Sequence, residues 1–593
     1  MNKIENLLNN KNIINPLTIT ILIYVFSLLI LGSWYNFPIS DDFYYTMQVE
    51  AFSMGIFTKS ALIGPTLILQ SFIGLIWGRL FGINYASLRV LTILFSILCI
   101  VIVDKILKLL KVKDTTRLPT LLLILFIPQF YACSVTFMSE NYFLFFILLS
   151  LYHFLSFLNK DDEKHMLLAS IFGGLSIMVR QYGVVLLITY LFVYVMLVLK
   201  YKKLNIRLIL ELLVPFILLG SLGVFWPKFK SLSDPKSMDV SLFFVGFKDV
   251  IPRIFNIWVL PYIGFYLLPF SVVLFGKINN KLKALIMILS VPLSYLIYKI
   301  NIFKIGNLFY LEGLYARLVV NIRQNLFNNV PFKLFLAYLI SLSLITLLIW
   351  IIQSLVSKRS SLEKKNFKIN LKSITKDLNT LTLIVSIIGF FLIVMVTDRV
   401  FDRYLLNFFI FLVILVSYIF SKNRLNLNSY SLLMCILISF VTFLVTFDYY
   451  RGNQLKWVLA NKLSTEYKVD KYNIFVDNVY ARTMYMYKMQ NYKGLYPAKP
   501  AEYHPFCFVQ EYVRQKDNVI NKLVNSFEGR GFVKKYIENP KISNAGLLKE
   551  KSNHFDSTDI LIYDVEYPSP IYNLLGKKMF IRAFCLYNYK DLQ

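Results

Sequence analysis

The chain has 593 residues, of which 57% are hydrophobic and only 16% are charged. A soluble globular protein carries about 25% charged residues, so this composition excludes a water-soluble protein and indicates a polytopic membrane protein. The formal net charge of +29 does not indicate nucleic-acid binding. The basic residues fall mostly in short loops between apolar segments, which is the distribution that the positive-inside rule predicts.

Apolar segments long enough to cross ~30 Å of hydrocarbon recur along most of the chain. We predict a polytopic α-helical protein with about thirteen membrane-spanning helices of ~20 residues each. Their approximate cores are 16–34, 88–110, 118–134, 141–158, 166–181, 183–199, 208–225, 256–275, 284–300, 332–356, 378–396, 404–420 and 429–447. Lys3 and Lys11 precede the first span, which predicts a cytoplasmic N-terminus and, for an odd number of spans, an outer C-terminus.

The first outer loop contains an apolar segment, Ile63 to Phe81, that is interrupted by Pro65, Gln70 and Arg79. We predict that this segment forms an interfacial helix along the membrane surface and does not cross the membrane. Loop charge supports this assignment, because a full crossing would place all later basic loops outside.

After residue 447 the composition changes to a mixture rich in Lys, Asn, Tyr and Asp. Short apolar segments at 473–476 and 559–563 are typical of buried strands. We therefore predict a transmembrane domain, 1–447, followed by an extracytoplasmic soluble α/β domain, 448–593. Cys507 and Cys585 lie in this second domain and could form a disulfide if it faces an oxidising compartment.

Asp41 and Asp42 directly follow the first span, and the predicted topology places them on the outer face. Two carboxylates at the mouth of a membrane-embedded body are costly without a function. Tyr44 and Tyr45 follow, and acids beside aromatic rings are typical of a site that binds a polar substrate and moves a proton. The alternative is that the aspartates cap the helix that follows, or that one caps it while the other faces the site.

A second acid and a cation at membrane depth return to the same outer face in the predicted topology. Glu140 opens the fourth span and Arg180 ends the fifth, followed by Gln181 and Tyr182. A cation at this depth usually needs an anionic partner, for which a phosphate headgroup is suitable. The alternatives are a carboxylate that only stabilises a helix dipole and an arginine that extends to the surface.

Other charged residues on the outer side are further candidates. Five basic residues lie on the predicted outer side, contrary to the positive-inside rule: Lys228, Lys230, Lys304, Arg317 and Arg323. They either contact phosphate or are solvated loop charges. The outer turn at 397–406 contains two Asp–Arg pairs. We expect Asp398 and Arg399 to form a structural clasp, whereas Asp402 and Arg403 remain candidates for the site.

Several other classes of function have no support in the sequence. The four histidines show no zinc-ligand spacing, and the chain contains no phosphate-binding Walker loop and no Gly-x-Ser-x-Gly nucleophile turn. A transporter more typically carries ionisable groups in the middle of its spans and shows internal repeats, whereas the acids here lie at span ends.

The order and spacing of these features resemble the membrane glycosyltransferases of the GT-C superfamily. The nearest branch contains the dolichyl-phosphate-mannose protein mannosyltransferases and the bacterial aminoarabinose transferase of lipid A. The resemblance covers roughly 1–450 and depends on the following features: Asp41-Asp42, the segment from Pro65 to Gly82, Leu88-Arg89, Glu140, the segment from Gly173-Gly174 to Arg180, and Phe401 to Leu406. The chain departs from the family at Ile63-Gly64-Pro65, where the family often has His-Pro-Pro, and at Glu140, where the family commonly has Asp.

The resemblance implies a GT-C-like fold and the transfer of a sugar from a polyprenyl-phosphate donor to a glycan, lipid or protein acceptor on the outer face, with inversion. It implies that Asp41 is the base, with Asp42 or Glu140 in support. The leaving phosphate would be stabilised by basic residues: Arg180, Arg317, Arg323 and Arg403. The candidate substrate contacts are Tyr44, Tyr45, Gln181, Tyr182 and Asp402.

A divalent metal ion, Mg²⁺ or Mn²⁺, held by Asp41, Asp42 and Glu140 is compatible with this chemistry. Two rival hypotheses remain open at this stage. One is a transporter or flippase of a lipid-linked glycan, and the other is a non-catalytic assembly protein of the cell envelope.

Overall fold

The computed structural model describes residues 15–57, 66–160, 162–202, 204–230, 259–299, 330–356, 377–397, 400–466, 474–475, 507–513, 547–552, 555–567 and 579–588. The chain divides into two compact units. The first unit comprises Met1–Trp34 and Tyr44–Phe443, and the second comprises Tyr35–Phe43 and Leu444–Gln593.

Seventeen α-helices are present in the described part of the chain. They are α1 (Pro16–Leu31), α2 (Asp42–Ser53), α3 (Ile68–Phe81), α4 (Tyr85–Leu109), α5 (Asp114–Leu125), α6 (Pro128–Ser134), α7 (Ser139–Lys160), α8 (Lys164–Ile177), α9 (Val184–Tyr201), α10 (Ile206–Lys230), α11 (Leu260–Tyr266), α12 (Leu268–Lys277), α13 (Asn280–Lys299), α14 (Val330–Val356), α15 (Leu378–Val396), α16 (Leu406–Lys422) and α17 (Ser429–Glu466). Within the described residues, at least one helix overlaps each predicted span.

Among the described residues, nine helices are long and apolar enough to cross a membrane. Two bent helix pairs raise this number to eleven if each pair is one span. The helices α1, α3 and α8 are apolar but shorter than 18 residues. The protein is therefore a multi-pass helical membrane protein, whereas the exact number of thirteen spans and the interfacial position of α3 stay predictions.

Two of the predicted spans are broken and not continuous. The helices α5 and α6 meet at an angle of 62°, and α11 and α12 meet at 71°. In both pairs a proline, Pro128 or Pro269, lies in the first turn of the second helix. Proline has no backbone N–H and is favoured where a helix begins, so each proline marks a new helix start inside one apolar run.

Helix α8, which ends just before Arg180, packs closely against α10. A Cβ atom added at Gly173 in α8 would overlap the ring of Phe216 in α10, and one at Gly174 would lie 2.9 Å from the carbonyl oxygen of Pro215. The absence of side chains at these two glycines therefore allows α8 and α10 to approach.

The described part of the second unit contains a five-stranded sheet in the order β1-β2-β5-β4-β3. The strands are β1 (Ile474–Phe475), β2 (Cys507–Val513), β3 (Leu547–Ser552), β4 (Phe555–Tyr567) and β5 (Met579–Asn588). The first two strands are parallel, and the other neighbours are antiparallel. The strands predicted at 473–476 and 559–563 correspond to β1 and β4.

Two features bear on the predicted second domain. The predicted boundary between residues 447 and 448 falls inside α17, which continues without a break to Glu466. The register of β2 and β5 places Cys507 directly opposite Cys585. The α/β domain at 448–593 and the pairing of these cysteines stay predictions.

Candidate active site

The acid pair lies in a tight turn of the second unit. The Asp42 carboxylate accepts a hydrogen bond from the Ile39 N–H at 2.7 Å, and the Asp42 N–H donates to the Ile39 carbonyl at 3.3 Å. Between them, Ser40 takes a left-handed conformation with φ of 57°. Such a conformation costs a non-glycine residue about 1 kcal/mol or more, and the two Ile39–Asp42 bonds hold it.

The two aspartates therefore have different environments. Asp42 is 1% exposed and starts α2, and its Oδ1 accepts the N–H of Ile39 in the turn before the helix. Capping of α2 by either aspartate stays a prediction. Asp41 is partly exposed to solvent. The geometry thus separates a buried aspartate that shapes the turn from an accessible one.

In the first unit, three charged residues from distant parts of the chain form a buried cluster. Glu140 lies in the first turn of α7, Arg180 follows the end of α8, and Arg403 lies in a short 3-10 helix, Asp402–Leu405. Glu140 Oε1 is 2.7 Å from Arg180 Nη2 and 3.4 Å from Arg403 Nε. All three side chains are at most 5% exposed. We call these three residues the Glu140 cluster.

Neighbouring side chains fix both guanidinium groups. Arg180 Nε donates to Ser139 Oγ at 2.8 Å. The ring of Tyr404 lies 5.2 Å from the Arg180 guanidinium carbon and 5.6 Å from that of Arg403. These are cation–π distances, so one aromatic ring supports both cations.

In the Glu140–Arg180 pair, one oxygen and one nitrogen have no hydrogen-bond partner within the described part of the chain. Glu140 Oε2 is buried and has no hydrogen-bond partner there. The hydrogen bonds of Arg180 to described residues use Nε and Nη2, and not Nη1. An acceptor left unsatisfied at a buried position costs about 1–3 kcal/mol, which a bound polar molecule would recover.

Several predicted substrate contacts lie around this cluster. Tyr45 is buried and interacts electrostatically with Arg180. Tyr182 packs edge-on against Tyr404 at 6.1 Å between ring centroids. Asp402 is fully buried and acts electrostatically on Cys133, as Glu140 and both arginines also do. Of the other two predicted contacts, Tyr44 is half-buried and Gln181 is exposed.

Some predicted residues lie outside what the structure describes. These are Lys304, Arg317, Arg323, Asp398 and Arg399, together with the side chains of Lys228 and Lys230. The part of the chain that is described contains no group of three or more His, Cys, Asp or Glu residues that could hold a metal ion. A metal held by Asp41, Asp42 and Glu140 stays a prediction from the sequence.

Sequence reasoning missed two residues of the site. Ser139 and Tyr404 carry no charge, and the sequence gives neither a separate signal as a site residue. The Arg180–Ser139 bond joins residues 41 positions apart. Only the serine's position next to an acid at a helix start could have suggested it.

The fold and the site define a multi-pass helical membrane protein with a buried carboxylate–arginine cluster. Residues 65–226 match the family model described as dolichyl-phosphate-mannose-protein mannosyltransferase. The matched segment extends from α3 into α10 and includes Glu140 and Arg180. The resemblance to this family that the sequence motifs indicate is therefore confirmed over this segment.

Comparison with solved structures finds two crystal structures of ArnT from Cupriavidus metallidurans. The structure bound to undecaprenyl phosphate has 11% sequence identity and a TM-score of 0.39, covering 84% of this chain and 96% of that chain. The apo structure has 11% identity and a TM-score of 0.38, covering 86% and 95%. At these TM-scores the similarity supports no argument about function. Comparison with curated proteins finds no match.

Proposed function

We propose that this protein is a membrane glycosyltransferase that moves a sugar from a polyprenyl-phosphate donor to an acceptor on the outer face. The observation that carries the proposal is the buried Glu140–Arg180 contact, in which Arg180 keeps Nη1 uncommitted among the described residues. A guanidinium held in place by a carboxylate is suited to bind a phosphate by charge-assisted hydrogen bonds. The family match over 65–226, which includes both residues, supports the same reaction class.

In the proposed reaction, Asp41 accepts the proton of an acceptor hydroxyl. The hydroxyl oxygen attacks the anomeric carbon of the donor from the side opposite the phosphate and forms the new glycosidic bond. The bond between the anomeric carbon and the phosphate oxygen breaks, and its electron pair leaves with the polyprenyl phosphate. Direct displacement of this kind inverts the anomeric configuration.

The arginines stabilise the leaving group. Negative charge grows on the phosphate oxygen as the bond breaks, and Arg180 neutralises it through donors that are already oriented. Arg403 adds positive charge next to Arg180, and Glu140 holds the two guanidinium groups in place. Arg317 and Arg323 are further candidates for contact with the donor phosphate.

The remaining candidates have supporting roles. Asp42 keeps the turn that presents Asp41, through its bond to Ile39. Substrate contacts are assigned to the residues that the sequence indicates: Tyr44, Tyr45, Gln181, Tyr182 and Asp402. A divalent metal, if bound, would neutralise phosphate charge, whereas the steps above need only the chain's own carboxylates and guanidinium groups.

The proposal is tested with purified protein and a panel of polyprenyl-phosphate sugars. Release of polyprenyl phosphate and appearance of the glycosylated acceptor are measured together for the wild type and for Arg180→Lys. We expect equal amounts of both products, and a slower reaction for Arg180→Lys because lysine cannot reproduce the bonds to Ser139 and Glu140. If no donor releases polyprenyl phosphate, or if a lipid-linked glycan crosses a vesicle membrane without sugar transfer, the proposal is wrong and the transporter hypothesis gains support.

A further inference from the structure

The chain that leads into Arg180 is held by one short segment. The helix α8 ends at Ile177, and the last carbonyl groups of a helix have no partner within the helix. Thr66 Oγ1 donates to the Ile177 carbonyl at 2.8 Å. The Leu69 and Leu67 N–H groups donate to the carbonyls of Met178 and Val179, at 3.3 and 3.1 Å. Three consecutive carbonyls before Arg180 are thus bound by the residues that begin α3.

The same segment also binds the chain that leads to Glu140. Gln70 Nε2 donates to the Phe137 carbonyl at 3.3 Å. One turn further along α3, a Cβ atom at Gly74 would lie 3.0 Å from the Phe137 ring, so the helix and this ring are in close contact. The first turn of α3 therefore holds both stretches of chain that carry the Glu140–Arg180 pair.

The segment from Thr66 to Gln70 has a left-handed residue in its backbone and two buried polar side chains. Leu67 adopts a left-handed conformation with φ of 56°, which is rare for a residue with a bulky side chain. Such a residue persists only where its surroundings determine it, and here its N–H is bound to the Val179 carbonyl. Thr66 and Gln70 are polar but only 2% and 1% exposed. Burial makes their hydrogen bonds costly to lose.

We propose that Thr66 and Gln70 are positioning residues that set the geometry of the Glu140–Arg180 pair, and through it the affinity for the donor phosphate. The segment from Thr66 to Gln70 touches the chain before each member of the pair. A shift at the start of α3 therefore moves both charged side chains relative to each other. The effect on donor binding rests on the proposed function, whereas the effect on the chain at 177–180 does not.

The test compares three threonine variants. Thr66→Val keeps the size of the side chain but removes the donor to Ile177, and Thr66→Ser keeps the donor. Thr382→Val is the matched control, because Thr382 is also buried but its hydroxyl donates to the Leu378 carbonyl of its own helix. Two quantities are measured: the dissociation constant for undecaprenyl phosphate, and the rate of amide hydrogen exchange at residues 178–181.

We expect Thr66→Val to raise the dissociation constant about five- to tenfold, the effect of one buried hydrogen bond, and to speed exchange at 178–181. Thr66→Ser and Thr382→Val should stay within about twofold of the wild type in both quantities, well below the effect of one buried bond. A positioning role further requires that Thr66→Val acts through Arg180. In an Arg180→Lys background, Thr66→Val should therefore have little additional effect on the dissociation constant.

Two results would overturn the inference. The first is an equal fold-change of the dissociation constant in the wild-type and Arg180→Lys backgrounds, which would mean that Thr66 acts on overall stability. The second is unchanged exchange at 178–181 in Thr66→Val, which contradicts the inference whatever the protein binds. Failure of the wild type to bind undecaprenyl phosphate would instead count against the proposed function, and the exchange measurement keeps the two failures distinct.

Discussion

Arg180 donates to Glu140 across 2.7 Å, although the two residues are 40 positions apart and belong to different helix ends. Both side chains are nearly inaccessible to solvent. Removing one member of a buried ion pair leaves the other charge without compensation, which costs about 3–5 kcal/mol. Glu140 also faces Arg403, so its loss would leave two guanidinium groups without their shared partner.

We therefore expect Glu140→Gln to lower the free energy of unfolding by about 3 kcal/mol. Thermal unfolding of the purified protein in detergent measures this change. The matched control is Glu466→Gln, which removes a carboxylate 3.4 Å from Lys462 in a pair whose side chains are 57% and 32% exposed. An exposed pair contributes at most about 1 kcal/mol, so the control should unfold near the wild-type temperature. Equal shifts for both variants would mean that the Glu140 pair contributes no more than a surface pair.

A second prediction concerns the crossing of α8 and α10. Gly173→Ala places a methyl group against the buried ring of Phe216 and should destabilise the protein by about 1–3 kcal/mol. Gly276→Ala is the control, because a Cβ there has no atom within 4 Å. Alanine is the better helix former, so this control should be neutral or stabilising by up to about 1 kcal/mol. Thermal unfolding distinguishes the two, and a Gly173→Ala protein as stable as Gly276→Ala would contradict the close crossing.

Much of the fold can be predicted from local sequence patterns. The apolar run at 378–396 coincides with α15, and the short apolar segment at 473–476 contains β1. The breaks between α5 and α6 and between α11 and α12 could not be predicted in this way. Mean hydropathy over a window is insensitive to a change of helix direction, and a proline such as Pro128 also occurs in unbroken membrane helices.

The site depends on contacts that local patterns do not contain. The sequence indicates the acids and arginines because charged residues are costly at membrane depth, but the pairing of Glu140 with Arg403 has no local signal. The sequence also leaves open which of Asp41 and Asp42 is buried and which stays accessible. That choice depends on the left-handed turn at Ser40, a conformation that serine seldom takes.

A third prediction concerns pH. Burial acts to raise the pKa of the Asp377 carboxyl, but hydrogen bonds from Lys422, Tyr418 and Thr380 outweigh it and lower the pKa below its usual value. Asp377 accepts these bonds at 2.7–2.9 Å, and so ties the start of α15 to the end of α16. A lowered pKa in the folded state means that the carboxylate contributes stability above its unfolded pKa, near about 4, and loses it as the pH falls further.

The variant Asp377→Asn should therefore be less stable than the wild type at pH 7, by about 1 kcal/mol or more, because it lacks the charge that pairs with Lys422. The difference should shrink below pH ~4, where the wild-type carboxylate also becomes neutral. Thermal unfolding of both proteins between pH 7 and pH 3 measures this. A stability difference that does not depend on pH would show that the charge of Asp377 is not the cause.

The final prediction concerns the acid pair and the proposed reaction. If Asp41 is the base, Asp41→Asn should slow sugar transfer by about 10²–10⁴-fold while donor binding and unfolding temperature stay close to the wild type. Asp42→Asn keeps an oxygen that can accept the Ile39 N–H, so the turn should survive and the rate should fall much less.

The decisive measurement is the rate of polyprenyl phosphate release at saturating donor and acceptor, compared between the wild type, Asp41→Asn and Asp42→Asn. We predict release by the wild type, near loss of release in Asp41→Asn, and an intermediate rate in Asp42→Asn. Release by Asp41→Asn at the wild-type rate would contradict the assignment of Asp41 as the base.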